Sequence, residues 1–269
     1  EFNYIFHPGT PQEKTRILPS INASYEYSLE RFRFTFGAGY GHRAPSVSEG
    51  YGYYIYNSFD RFDYIGNPAL KNEISYETNA SAGFKTEKLD IEAKANYFYI
   101  QNYVIGRILD LGSPMNYQSV GVKGYANLDH AKIFNFSLNA FYELLENLRW
   151  DGSITYARGI DDKNENLPFI RPLSYRTSLK FTHGNFAART SINGDDTQIN
   201  YSPIYGEDKT PWFMIWNASA DYTFQINNLN FVLQAGVENI LNEYYSTYAD
   251  WGNIPRMGRN VFTSLKFNF

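Results

Sequence analysis

The chain has 269 residues, a formal charge of −4 and no cysteine. Disulfide frameworks, thiolate catalysis and cysteine metal sites are excluded, and mild acidity without long charge runs gives no footprint for nucleic acid. Aromatic residues make up 18% of the chain against 19% charged, a content that opposes disorder. No segment reaches the roughly 18 consecutive apolar residues of a membrane-spanning helix.

Almost every apolar run alternates with polar residues, which is the period of a strand. In chain order, strands are expected at 2–6, 17–29, 32–40, 72–84, 89–99, 134–144, 148–156, 173–181, 186–192, 214–224, 229–237 and 261–269. Phe32, Phe34, Phe36, Ala38 and Tyr40 share one face, with Arg31, Arg33, Thr35, Gly37 and Gly39 on the other. Leu89, Ile91, Ala93, Ala95, Tyr97 and Tyr99 repeat the split against Lys88, Asp90, Glu92, Lys94 and Asn96. Most of these strands exceed the 5 or 6 residues usual in globular proteins. They are long enough for the roughly 9 to 11 that a tilted strand needs to cross a bilayer.

Very short turns at Glu30, 85–87, 146–147, 183–184 and 226–228 alternate with long loops at 42–71, 106–125, 159–171, 196–211 and 239–258. A soluble sandwich has no reason to sort its loops this way, whereas an outer-membrane barrel has short turns at one end and long loops at the other. The expected fold class is all-β, a transmembrane antiparallel β-barrel, because hydrocarbon offers a free sheet edge no hydrogen-bond partner. Aromatics near strand ends, such as Tyr76 and Phe84 or Trp216 and Phe224, suit the two membrane interfaces. They also read as ordinary strand formers in a sandwich core, but the charges on the opposite strand faces suit a wet lumen better.

The segment Gly41-His42-Arg43-Ala44-Pro45-Ser46, followed by Gly66-Asn67-Pro68-Ala69-Leu70-Lys71-Asn72-Glu73, resembles the paired boxes of TonB-dependent outer-membrane receptors. Tyr125-Ala126-Asn127-Leu128-Asp129-His130-Ala131 is similar to a further family stretch. So is Val237-Glu238-Asn239-Ile240-Leu241-Asn242-Glu243-Tyr244-Tyr245 with Pro255-Arg256-Met257-Gly258-Arg259. The resemblance implies a 22-stranded barrel of which residues 1–269 are the C-terminal portion, the N-terminal plug and the earlier strands being absent. It implies import across the outer membrane of a Gram-negative bacterium, energised by the TonB–ExbB–ExbD machinery acting on the plug. The implied substrate is an iron complex, siderophore or haem, or else another metal complex or cobalamin. Other implied partners are outer-membrane lipid and the barrel assembly machinery, for which a terminal aromatic, here Phe269, resembles the family's assembly signal. Haem receptors of this type place a histidine between the boxes, and residues 44–66 contain none. A self-contained passive pore or adhesin is the alternative from another class.

No enzyme is expected, because His7, His42, His130 and His183 lie in different segments and neither HExxH nor GxSxG is present. No cofactor or resident metal is expected. Asp161 and Asp162 read as solvated loop charges, and Asp195 with Asp196 as a turn beside Asn193 and Gly194 or as a cation site. Candidate ligand contacts are Arg43, Tyr51, Tyr53, Tyr54, Tyr56, Arg61, Tyr245, Tyr248 and Trp251. A guanidinium grips a carboxylate or catecholate in a fork, and tyrosines offer rigid faces with hydroxyl handles. Arg43 has a second reading as a loop anchor, and the tyrosines and Trp251 one as interfacial girdle. His42, Ala44, Pro45, Asn67, Pro68 and Leu70 are assigned to the structural boxes, Pro68 presetting the loop's return.

Overall fold

A computed structural model describes residues 14–110, 112–227 and 229–268. The strand expected at 2–6 and the terminal Phe269 lie outside the described residues. In chain order the strands are β1 (Ser20–Leu29), β2 (Phe32–Arg43), β3 (Ile55–Asn57), β4 (Phe62–Ile65), β5 (Glu73–Lys85), β6 (Leu89–Gln101), β7 (Val104–Ile108) and β8 (Gly121–Asn127). They continue with β9 (His130–Leu145), β10 (Leu148–Asp161), β11 (Ser174–His183), β12 (Phe186–Asp195), β13 (Phe213–Ile226), β14 (Leu229–Glu238) and β15 (Asn260–Asn268). One helix, α1 (Val47–Tyr51), lies between β2 and β3.

The long strands form one 11-stranded antiparallel sheet in the order β1-β2-β5-β6-β9-β10-β11-β12-β13-β14-β15. Chain neighbours pair throughout, as in an up-and-down barrel wall, and β1 and β15 are the open edges. The turn-end hairpins are tight, with positive φ at Glu30 (49°), Gly184 (55°) and Asn227 (45°), which matches the twist of two-residue hairpin loops.

Register makes the two faces continuous across the sheet. On one face Phe32 meets Phe84, Phe84 meets Ile91, and Ile91 meets Ala140. The row goes on through Gly152 and Thr177 to Ile192 and Trp216. The opposite face is polar: Arg33 pairs across to Gly83, Glu92, Asn139, Ser153, Arg176 and Asn193. Arg33 lies 3.6 Å from Glu92, which Lys94 reaches at 2.8 Å. Ser178 donates to Asp151 at 2.7 Å and accepts from Arg189 at 2.9 Å. The apolar face belongs against hydrocarbon and the polar face against a lumen.

The long loops are not bare. The segments 44–72 and 102–129 carry four extra strands, paired in a second sheet ordered β3-β4-β8-β7. Its β4 runs parallel to β8 while the outer pairs are antiparallel. Strands of three to seven residues are too short to raise an alternation above the surrounding loop composition, which is why the sequence reads here as loop.

Candidate functional site: the loop-end subdomain

The segments that resemble family boxes turn out to be the knots that tie this subdomain together. Ser46 caps α1 by accepting from the Glu49 amide at 3.2 Å, and Glu49 accepts in return from the Ser46 amide at 2.6 Å, a reciprocal capping box. Arg43, the last residue of β2, donates to both carboxylate oxygens of Glu49, at 2.9 and 3.1 Å, and through Nε to Glu73 at 2.5 Å. Burial would raise the Glu49 carboxyl, but the Arg43 guanidinium and the Ser46 amide hold it below its ordinary value. Glu73 also accepts from the Val104 amide at 2.7 Å, so one carboxylate joins β2, β5 and β7.

The second box closes on the first. The Asn67 amide donates to the Glu49 carbonyl at 2.8 Å and the Gly66 amide to the Gly52 carbonyl at 2.7 Å. The Asn67 side chain accepts from the Ala69 amide at 2.9 Å and donates to the Tyr125 carbonyl at 3.2 Å, bringing in the third box. Lys71 donates its amide to the Asn127 side chain at 2.8 Å, and Leu70 is buried. The Lys14 ammonium donates to the Pro68 carbonyl. Pro45 and Ala44 deliver the chain from β2 to the cap of α1. His42 stays on the strand, its Nε2 2.6 Å from the Tyr40 hydroxyl. In the last loop Asn239 donates to the Glu243 and Met257 carbonyls, and Arg259 donates to the Ile240 carbonyl at 2.9 Å.

Inside the second sheet is a buried ion pair that the sequence analysis missed. Lys123 on β8 is 2.6 Å from Asp60, with both side chains essentially inaccessible. Tyr64 donates to the same Asp60 oxygen at 2.5 Å, its ring 5.0 Å from that of Tyr125, and the Lys123 ammonium lies over the Phe62 ring. Burial and the Asp60 carboxylate both raise the Tyr64 hydroxyl far above its usual range, which keeps it a donor. Burial lowers Lys123, against the pull of Asp60. A lone lysine in a seven-residue strand gives no sequence signal for such a pair.

A third group seals the subdomain to the polar face. Ile105, Leu128, Ala131, Leu167 and Tyr205 form an apolar cluster, with Tyr103, Ile133 and Ile170 against it. It joins β7, the start of β9 and the loops 162–173 and 196–212. Tyr205 donates to Asp161 at 3.0 Å, and the Lys163 and Glu165 amides donate to the other oxygen of that carboxylate. Asp161 is therefore buried, not solvated as expected. Asp195 is likewise no turn residue: it ends β12, is buried, and pairs with Arg171 at 2.9 Å. Buried Glu207 accepts from Phe169, Gln198 and Ser202, and burial raises its carboxyl. Among the described residues no group of three or more His, Cys, Asp or Glu is placed to hold a metal ion.

The candidate ligand residues fall in two groups. Tyr51, Tyr53, Tyr54 and Tyr56 are half-buried on the first loop, with the Tyr53 and Tyr54 rings edge to face at 4.9 Å. Arg61 is exposed at a turn with φ of 61°. Tyr245 and Tyr248 are half-buried in the last loop, Tyr245 against Phe213 at 4.7 Å, and Trp251 begins the 3-10 turn Trp251–Asn253. The 203–209 segment bridges the groups. Gly206, at φ of 81°, lets the backbone approach the Phe62 ring, and Asp208 accepts from the Gly252 amide at 3.2 Å. The polar face also holds a cavity of about 410 Å³ lined by residues that include Ser153, Arg171, Arg176, Ser191, Asn193 and Asn217.

The structure is similar to that of the copper transporter OprC, with a TM-score of 0.84 and 21% identity over 100% of this chain and 42% of that one. A mutant ferric enterobactin receptor, PfeA from Pseudomonas aeruginosa, gives 0.67 and 16% over 92% and 39%. The siderophore receptor PirA from Pseudomonas aeruginosa gives 0.65 and 18% over 92% and 41%. At these identities the likeness is one of fold, and the chain spans about two fifths of the length of those structures. No curated protein sequence matches the chain. The family model described as "TonB dependent receptor-like, beta-barrel" matches residues 3–240, which agrees with the sorted loops, the two-faced wall and the knotted boxes. The chain belongs to the TonB-dependent receptor β-barrel family.

Proposed function

We propose that this chain is part of the barrel wall of a Gram-negative outer-membrane receptor that imports a small-molecule iron complex of the siderophore type. Residues 1–269 would pair through their two open edges with further strands around a plug, on which the TonB–ExbB–ExbD machinery acts. The observation that carries the reading is a polar inner face with an arginine-lined cavity, together with half-buried tyrosines on the first and last long loops. An anionic chelate suits that pairing of guanidinium and aromatic faces. Ligand contacts are assigned to Tyr51, Tyr53, Tyr54, Tyr56, Arg61, Tyr245, Tyr248 and Trp251. Arg43, held by two carboxylates, is assigned to anchoring the loop.

Siderophore is preferred over haem because no histidine lies in 44–66. Two of the described histidines are engaged on the strands, His42 by Tyr40 and His130 stacked on Tyr99 at 5.2 Å. The test is titration of the purified whole protein with a ferric siderophore, followed by tyrosine and tryptophan quenching. Binding should weaken about tenfold or more in Tyr53→Ala/Tyr54→Ala at unchanged surface abundance, in line with loss of central aromatic anchors. Equal affinity would remove the first-loop tyrosines from the site.

A further inference from the structure

The buried pair of the small sheet is arranged for chemistry as well as for charge. The Lys123 Nζ lies 2.6 Å from Oδ2 of Asp60, with the two side chains 2% and 0% exposed. The same Nζ is 4.2 Å from the centre of the Phe62 ring and 5.5 Å from that of Tyr64. An amine and a carboxyl are thus held in contact with aromatic carbon packed around the amine. Burial is the largest influence on Lys123 and eases the loss of its proton, which frees the lone pair of a nucleophile.

The carboxyl is gripped at both oxygens. Oδ2 accepts from the Tyr64 hydroxyl at 2.5 Å, and Oδ1 accepts from the Phe62 amide at 3.2 Å. That hydroxyl also accepts from the Lys123 Nζ at 3.4 Å. Tyr64 therefore touches both the nucleophile and one carboxyl oxygen, while the Phe62 amide meets the oxygen on which charge would gather, as the donors of an oxyanion hole do. The register delivers the amine to this place: β8 runs parallel to β4 with Lys123 opposite Tyr64.

We infer that Lys123 and Asp60 condense into an intramolecular amide, a covalent cross-link between β8 and the turn that precedes β4. The ion pair is the state from which the amide closes. A proton passes from Nζ to Oδ2, leaving an amine beside a carboxylic acid. The Nζ lone pair attacks Cγ, and the Phe62 amide holds Oδ1 as its charge develops. A second proton leaves Nζ through the Tyr64 hydroxyl to Oδ2, the Cγ–Oδ2 bond breaks, and Oδ2 departs as water. An N–C bond replaces a C–O bond with no change of oxidation state and no added reagent. The product is neutral, so the reaction removes two buried charges whose desolvation is the chief cost of such a pair. Asp60 and Lys123 are 63 positions apart, so the bond ties the loops 44–72 and 102–129 together permanently.

Mass spectrometry of the whole protein, folded and then denatured for measurement, reads the bond directly. The wild-type chain should weigh one water less than its sequence, and a protease digest should contain a joined peptide bearing both Asp60 and Lys123. Lys123→Met and Asp60→Ala should each have the full sequence mass. Asp60→Asn offers the amine a carboxamide in the same place and should lose one ammonia instead, giving the same joined peptide. Tyr64→Phe, refolded from unlinked chain, should close the bond at least about tenfold more slowly than the wild type, since a positioned acid–base group contributes about 10²–10⁴-fold. A folded wild-type chain at its full sequence mass would overturn the inference, as would a loss of water that persists in Lys123→Met. Closure of Tyr64→Phe at the wild-type rate would overturn the proton relay assigned to Tyr64.

Discussion

Replacing Lys123 with methionine keeps most of the side-chain volume and removes the charge, which isolates one interaction of the loop-end subdomain. The carboxylate of Asp60 would keep the Tyr64 hydroxyl at 2.5 Å and the Phe62 amide at 3.2 Å but lose its cation partner Lys123, at 2.6 Å, in a fully buried setting. An ion left unpaired in such a place costs about 3 to 5 kcal/mol. The cost is local, since Lys123 lies in the small sheet and not in the barrel wall. Amide exchange should therefore speed up in β4 and β8 by about a hundredfold or more, at roughly 1.4 kcal/mol per factor of ten, while β9 and β10 stay protected. Removing both charges, as Lys123→Met/Asp60→Leu, should recover most of the protection, because an apolar pair of similar volume often replaces a buried ion pair at little cost. Exchange in β4 and β8 unchanged by Lys123→Met, or equally fast in the single and double variants, would refute the reasoning.

Other outcomes follow from the same geometry. Ala93→Arg, opposite Ala82 and Leu138 on the apolar face, should cost about 2 to 4 kcal/mol if it lies at the midplane, whereas Asn96→Arg on the polar face should cost less; denaturant midpoints of the protein refolded in lipid vesicles compare them. Leu128→Ala, in the cluster that seals the loops to the wall, should destabilise the subdomain by about 2 to 5 kcal/mol, read as faster cleavage of the loops 162–173 and 196–212 by added protease. Glu49 is held below its ordinary value of 4.5, so its contribution is complete above that pH and is lost as the pH falls through its lower folded value. Proteolysis of the segment 44–66 should then rise as the pH falls below that ordinary value, a step that Glu49→Gln should abolish.

The wall was legible in the sequence because the membrane forces a period of two on long strands and sorts turns from loops. All eleven long strands fall where the alternation puts them, within a few residues at their ends. What stayed hidden is built from contacts distant in sequence. The pair of Asp60 and Lys123 spans 63 positions, and Tyr205 reaches Asp161 across 44, so neither leaves a local pattern. Asp161 and Asp195 read as polar loop residues by composition, and burial became visible only when their partners Tyr205 and Arg171 were in place. The boxes are the intermediate case: Arg43, Asn67 and Asn127 are legible as motif residues, but that Arg43 binds Glu73, Asn67 the Tyr125 carbonyl and Asn127 the Lys71 amide follows from the fold alone.

The most direct measurement of the central claim is growth of a strain deleted for the whole gene on single metal sources: ferric siderophores, haem, inorganic iron and copper. The account predicts a defect confined to one ferric siderophore, restored by the wild-type gene and not by one carrying Tyr53→Ala/Tyr54→Ala. Normal growth on every iron source, or a defect seen with copper alone, would contradict it.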